Sequence, residues 1–185
     1  MFIQTEQTPN PATVKFLPGQ TVMETGSAEF KTPDAATNAP LAQRLFALQG
    51  VSGVFFGRDF ISVSKAADTD WQMLKPMVLG VLMEHFSTGQ PILSGNAVPA
   101  QAASGEDDDE IVVQIKELIE TRVRPAVMMD GGDIVFDRFE DGVVFLQMRG
   151  ACSGCPSSTA TLKSGIENML RHYVPEVKEV RPVAD

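Results

Sequence analysis

The chain has 185 residues, 43% of them apolar and 21% charged, with a formal net charge of −9. That composition belongs to a globular protein of one or two small domains, and the acidic balance argues against sequence-independent binding to nucleic acid or to an anionic membrane surface, both of which favour basic patches. No stretch approaches the roughly 20 apolar residues of a membrane span, and two cysteines in all do not make a disulfide framework.

The first residues, Met1-Phe2-Ile3-Gln4-Thr5-Glu6, show neither a basic segment followed by an apolar one nor the Arg-rich character of a transit peptide. The expected compartment is therefore the reducing cytoplasm. Strands are expected over residues 2–5 and 13–17, with Thr8-Pro9-Asn10-Pro11 in the turn between them and Pro18-Gly19 closing the second. A further short strand is expected near residues 28–31. Leu41, Leu45, Phe46 and Leu48 predict a short amphipathic helix closed by Gly50. Residues 53–56 and 60–65 read as a hairpin turning at Gly57-Arg58-Asp59. A helix over 71–86 follows, with Trp71, Leu74, Val78, Val81 and Leu82 on one face. Pro76 should kink it or move its start later. Strands, helix, hairpin and helix make a small α+β domain over residues 1–88.

Residues 89–106 read as a flexible linker rich in Gly, Pro, Ala and Ser, running into Glu106-Asp107-Asp108-Asp109. The acidic run is expected to be a solvated tether whose last members cap the next helix. A second α+β domain is expected over 107–185. Its helix, residues 110–122, carries the stripe Ile111, Ile115, Leu118 and Ile119, and Pro125 should stop it near Arg124. Asp130-Gly131-Gly132-Asp133 reads as a turn whose aspartates are turn residues. Asp141-Gly142 is a strong type I′ hairpin signal. A two-residue loop there sets Phe139 opposite Val144, Asp137 opposite Leu146 and Val135 opposite Met148. Val135, Phe139, Val144, Leu146 and Met148 then share a face, with Asp137 as the exception. After Gly150-Ala151-Cys152-Ser153-Gly154-Cys155-Pro156, a helix carries Leu162, Ile166, Met169, Leu170 and Tyr173 in a core stripe. A last strand over 177–183 completes the order α-β-β-α-β.

Cys152 and Cys155 form a CxxC pair on a turn at a helix N-terminus, where positive partial charge and unpaired N–H groups favour thiolate. Pro156 suits the first helical position, and the turn is expected to stand exposed. Zinc, iron–sulfur and redox chemistry all use CxxC. A structural zinc site and an all-Cys iron–sulfur cluster each take four ligands. His172 lies about 25 Å from Cys155 along one helix, at 1.5 Å per residue. His85 sits in the other domain, and both histidines read as surface or boundary residues. Asp130 and Asp133 are hard ligands that suit thiolate sites poorly. A second copy facing the first across a two-fold axis supplies four thiolates, and Arg149 is the nearest cation to offset the charge of such a centre. A cluster held between subunits favours a carrier over an electron-transfer protein. Two alternatives stay open: a thiol–disulfide oxidoreductase and a zinc-bridged structural dimer. Against the first, an antiparallel hairpin precedes the turn and the proline follows the pair.

These residues resemble a known family. Arg124-Pro125, Asp130-Gly131-Gly132-Asp133 and Gly150 through Ser158 are similar to the C-terminal domain of NifU, the Nfu domain. Thr8-Pro9-Asn10-Pro11, Lys15-Phe16 and residues 51–65, with Phe55-Phe56-Gly57 and Asp59-Phe60-Ile61, resemble the N-terminal domain of longer Nfu proteins. The resemblance implies a non-enzymatic scaffold and carrier of iron–sulfur assembly. It implies a [4Fe-4S] cluster, with its iron, bound between two subunits through Cys152 and Cys155 and passed to apo-proteins. The implied partners are apo iron–sulfur clients, upstream cluster donors and, when cluster is bound, a second copy. It gives the first domain no ligand role. The lack of a visible presequence departs from mitochondrial members and fits a bacterial cytoplasmic one.

Overall fold

The structure, a computed structural model, describes residues 2–94, 109–153 and 156–183, without the side chains of 156–159. Most of the expected linker and its acidic run, from 95 to 108, lies outside the described residues. Two α+β domains are present. In the first, β1 (Gln4–Gln7), β2 (Thr13–Leu17), β3 (Ala28–Phe30), β4 (Val51–Phe56) and β5 (Ile61–Lys65) form one sheet in the order β1-β2-β5-β4-β3. All its pairings are antiparallel. Strand alternation sends Val14, Phe16, Val54, Phe56, Ile61 and Val63 to one face. There they bury against Leu41 and Leu45 of α1 (Pro40–Phe46) and Leu74, Val78 and Leu82 of α2 (Trp71–Thr88).

Pro76 does not move the start of α2. The helix begins at Trp71, where the Asp70 carboxylate accepts the Gln72 N–H at 2.9 Å. The proline removes one intrahelical bond, to the carbonyl of Gln72, and both residues lie on the exposed side, where water can satisfy that oxygen. His85 also departs from expectation. It is fully buried, on the same face as Leu74, Val78 and Leu82. Burial first, then Arg44, which is paired with Glu84 at 2.9 Å, hold its imidazole below the ordinary 6.5. The carbonyls of Pro91 and Gln90 oppose this, though neither ring nitrogen makes a hydrogen bond of good geometry. The folded state thus prefers neutral His85. Its stabilisation is complete above 6.5 and declines as pH falls below that value, because the unfolded chain takes up the proton first. Urea unfolding followed by the fluorescence of Trp71, the single tryptophan, should show a midpoint that drops between pH 7.5 and pH 5.5. In His85→Leu that drop should shrink; an equal drop in both proteins would mean that other groups cause it.

In the second domain, α3 (Glu110–Leu118), a π-helical turn (Ile119–Val123) and α4 (Arg124–Met129) follow without a break. Pro125 was expected to end this helix. The π turn, with its i→i+5 bonding, lets the proline fall in the first turn of α4, where no N–H donor is needed. Asp109 holds the N-cap position of α3 but makes no capping bond with its side chain. β6 (Gly132–Glu140) and β7 (Val143–Gly150) form an antiparallel hairpin, and α5 (Pro156–Tyr173) returns the chain to β8 (Glu179–Pro182), which pairs with β7 in parallel. The turn is type I′ as expected, with φ of 50° at Asp141 and 82° at Gly142.

The register beyond that turn differs from expectation. Phe139 faces Val144, but Phe136 faces Leu146 and Ile134 faces Met148, because the ladder bulges between Phe136 and Arg138. Asp137 is the extra residue of the bulge, which is why it broke the apolar pattern. Ile134 and Phe136, not Val135, therefore enter the core with Val144, Leu146, Met148, Ile115, Ile119, Ile166 and Leu170. Tyr173 is 41% exposed with its ring 4.9 Å from the Arg122 guanidinium, and Val174 takes the core position.

Candidate metal centre

The CxxC turn joins β7 to α5, which begins at Pro156 as expected. Two glycine turns meet there. Gly132 pairs with Gly150 at the end of the hairpin. The Ala151 N–H donates to the Gly131 carbonyl at 3.2 Å, and the Ser153 N–H to that of Gly150 at 3.1 Å. Gly150 has a φ of +64°, and a Cβ there would lie 2.8 Å from the Gly131 oxygen. A Cβ on Gly132 would lie 2.7 Å from the Cys152 Sγ and 2.8 Å from the Arg149 carbonyl. The missing side chains let the turns interlock and leave room for the thiol.

Cys152 is 3% exposed and packs with the domain core, so the turn is not open at this residue. Cys155 lies outside the described residues. The expected second-domain histidine, His172, is exposed near the far end of α5. Among the described residues, no three His, Cys, Asp or Glu side chains converge on a metal position. Arg149 donates to Gln147 at 2.8 Å.

Asp133 is more than a turn residue. It is fully buried and accepts from Arg124 Nε and Nη2, both at 2.9 Å, from Ser27 Oγ at 2.5 Å and from the Ile134 N–H at 2.8 Å. Arg124 also donates to Glu120. Burial alone would lower the guanidinium pKa, but Asp133 and then Glu120 outweigh it and hold it above its ordinary value. Sequence reasoning missed this pair, although Arg124 and Asp133 both belong to the motif that carries the family resemblance. Their joint presence was the available signal.

Ser27 belongs to the first domain, and it is not alone. Asn10 Nδ2 donates to the Ala151 carbonyl at 3.3 Å, and the Gly150 N–H donates to the Glu29 carboxylate at 2.9 Å. Ser62 Oγ donates to the Gly131 carbonyl at 2.6 Å, and Lys15 Nζ to that of Met129 at 3.3 Å. A groove of about 140 Å³ runs beside these contacts, with Glu29, Phe55, Gly150 and Ser153 in its wall.

Residues 3–89 match the family model described as "Scaffold protein Nfu/NifU N terminal", and residues 115–181 match that of the "NifU-like domain". Over its whole length the chain is 50% identical to the "NFU1 iron-sulfur cluster scaffold homolog, mitochondrial" of Homo sapiens, of which it covers 73%. It is 53% identical to "NifU-like protein 4, mitochondrial" of Arabidopsis thaliana, covering 67%. The solution structure of a NifU-like protein from Saccharomyces cerevisiae aligns with a TM-score of 0.47 and 26% identity, over 51% of this chain and 85% of that one.

Two α+β domains with these matches define an iron–sulfur cluster scaffold, a class of scaffolds and carriers rather than of conventional enzymes. The chain belongs to the Nfu family of NifU-like proteins. The expectation of a cytoplasmic location does not stand, because relatives that match across the whole chain are named as mitochondrial. It rested on the character of the first few residues. A targeting segment is a removable address, so those residues do not report the compartment.

Proposed function

We propose that Cys152 and Cys155 of two copies together hold a [4Fe-4S] cluster, which the protein receives from donor proteins and passes to apo iron–sulfur clients. The observation that carries this reading is the seat of Cys152: its Sγ lies in a gap that Gly132 keeps open, with no third ligand group converging there among the described residues. A thiolate pair is half of a four-thiolate site, and a second copy supplies the rest. The cluster is cargo. Release would proceed by a client thiolate replacing Cys152 or Cys155 at iron, one thiolate for another, with no change in oxidation state. The working division is a Nfu-type domain over 1–88, a linker over 89–106 and the CxxC domain over 107–185.

Anaerobic reconstitution with iron and sulfide should give about four irons per dimer, with the cluster eluting at the dimer position in size-exclusion chromatography. A monomer carrying a complete cluster would overturn the two-fold arrangement. One observation favours a second reading, thiol–disulfide exchange. The β7-α5-β8 unit is a parallel crossover, so the hairpin is not the whole context of the turn. Metal-free insulin reduction would support that reading, and its absence would remove it. Purification without oxygen followed by metal analysis also separates a zinc-bridged dimer.

A further inference from the structure

The first domain's sheet has a second face, turned away from α1 and α2. In an isolated domain that face would meet water. Here Lys15, Phe55 and Ser62 lie on it, with Phe60 at the hairpin turn, and their exposures are 7%, 2%, 1% and 1%. None of the four belongs to the core under α1 and α2. The CxxC end of the second domain covers this face. Lys15, Asn10, Glu29 and Ser62 each bond a main-chain group of the interlocked turns: the carbonyls of Met129, Ala151 and Gly131 and the N–H of Gly150. Ser27 adds the bond to Asp133. Main-chain groups buried at these turns gain from further hydrogen-bond partners that replace water. The sheet face supplies those partners and sets the Phe55 ring against Gly150. While the domains are so joined, Ala151, whose carbonyl accepts from Asn10, is 2% exposed.

We propose that this sheet face is a docking surface for the CxxC corner of its own chain, and that docking and cluster-mediated pairing of two copies exclude one another. A second copy must bring its thiolates to the same corner, which the first domain occupies. Cluster-bound dimers would then carry an uncovered sheet face with Lys15 and Phe60 exposed. The exclusion rests on the two-copy cluster reading, whereas the docking does not.

The test uses the full chain. Lys15 is acylated with an N-hydroxysuccinimide ester, and its rate is read by peptide mass spectrometry. In the metal-free protein, Lys15 should react about tenfold more slowly than exposed Lys178, as protection by a docked domain requires. Ser62→Arg puts a side chain too long for this buried position against Gly131 and should raise the Lys15 rate about tenfold without any cluster. Should that variant fail to fold, Glu29→Lys, which turns an acceptor for Gly150 into a donor, is expected to do the same. Reconstituted wild-type dimer should show Lys15 reacting as fast as Lys178. Equal rates at Lys15 and Lys178 in metal-free protein, or an unchanged Lys15 rate in the folded variant, would overturn the docking. Continued protection of Lys15 in the cluster-bound dimer would overturn the exclusion. A chain that takes up no cluster would defeat the cluster reading and the exclusion together, while the metal-free measurements still decide the docking.

Discussion

Asp133→Ala is expected to lower the stability of the second domain by about 3 kcal/mol, the low end of the range for breaking a buried ion pair. The aspartate is fully buried, and the Arg124 side chain is 16% exposed, so removing the carboxylate leaves the guanidinium poorly hydrated. Glu120 remains as a partner, which is why the low end applies. The Ile134 N–H and the Ser27 hydroxyl lose an acceptor in the same step. Urea unfolding should show the effect unequally in two signals. Far-ultraviolet circular dichroism includes the second domain and should shift strongly, whereas fluorescence of Trp71, which donates to the Pro11 carbonyl in the first domain, should shift less. Ser27→Ala removes only one donor and should cost about 1 kcal/mol. If Asp133→Ala proved as mild as Ser27→Ala, the ion pair would not be the anchor of this corner.

Gly132→Ala should remove stable cluster binding as fully as Cys152→Ser. The conformation is not the obstacle at Gly132. Space is: the added methyl would lie 2.7 Å from the Cys152 Sγ, 2.8 Å from the Arg149 carbonyl and 3.0 Å from the Cys152 nitrogen. Two of these are main-chain atoms at or beside the end of a paired strand, so relief requires the CxxC turn to move. Overpacking of this kind costs about 1–3 kcal/mol, and on the proposed two-copy arrangement the displaced thiol no longer sits where a second copy would require it. Visible absorbance after reconstitution measures the cluster, and circular dichroism checks that the fold persists. Gly165→Ala is the control: its site on α5 has nothing within 4 Å, and it should leave the cluster intact while stabilising the helix by about 0.5–1 kcal/mol. Retention of full cluster absorbance by Gly132→Ala would show that the turn is looser than this geometry allows.

Much of the fold was readable because it rests on periodicity. The stripe of α5 and the I′ turn at Asp141-Gly142 needed only local spacing, and they placed Cys152 and Cys155 between a strand and a helix. The failures have a common origin in rules that assume regular bonding. Counting register outward from the turn assumes an unbroken ladder, and the bulge at Asp137 breaks it; a carboxylate on an otherwise apolar face was the visible sign. The proline rule assumes α-helical bonding, and the π turn at Ile119–Val123 circumvents it. Other misses concern polar groups whose partners lie far along the chain. Asp133 is held partly by Ser27, and Lys15 and Ser62 lie buried on a sheet face that the second domain covers. No local pattern distinguishes a polar residue facing solvent from one facing another domain's main chain.

The parallel pairing of β8 with β7 has a consequence for synthesis. A hairpin can close as soon as its second strand leaves the ribosome, but a parallel neighbour must wait for the intervening crossover. β6, β7 and the CxxC turn therefore emerge while the third strand and α5 are still enclosed by the ribosome. During that interval Leu170 and Val180, which later pack with Cys152 in one core, are absent. The nascent chain thus passes through a stage in which the Cys152 thiol lacks part of its cover. Oxidative damage to this protein should fall more heavily on chains being translated than on chains already folded.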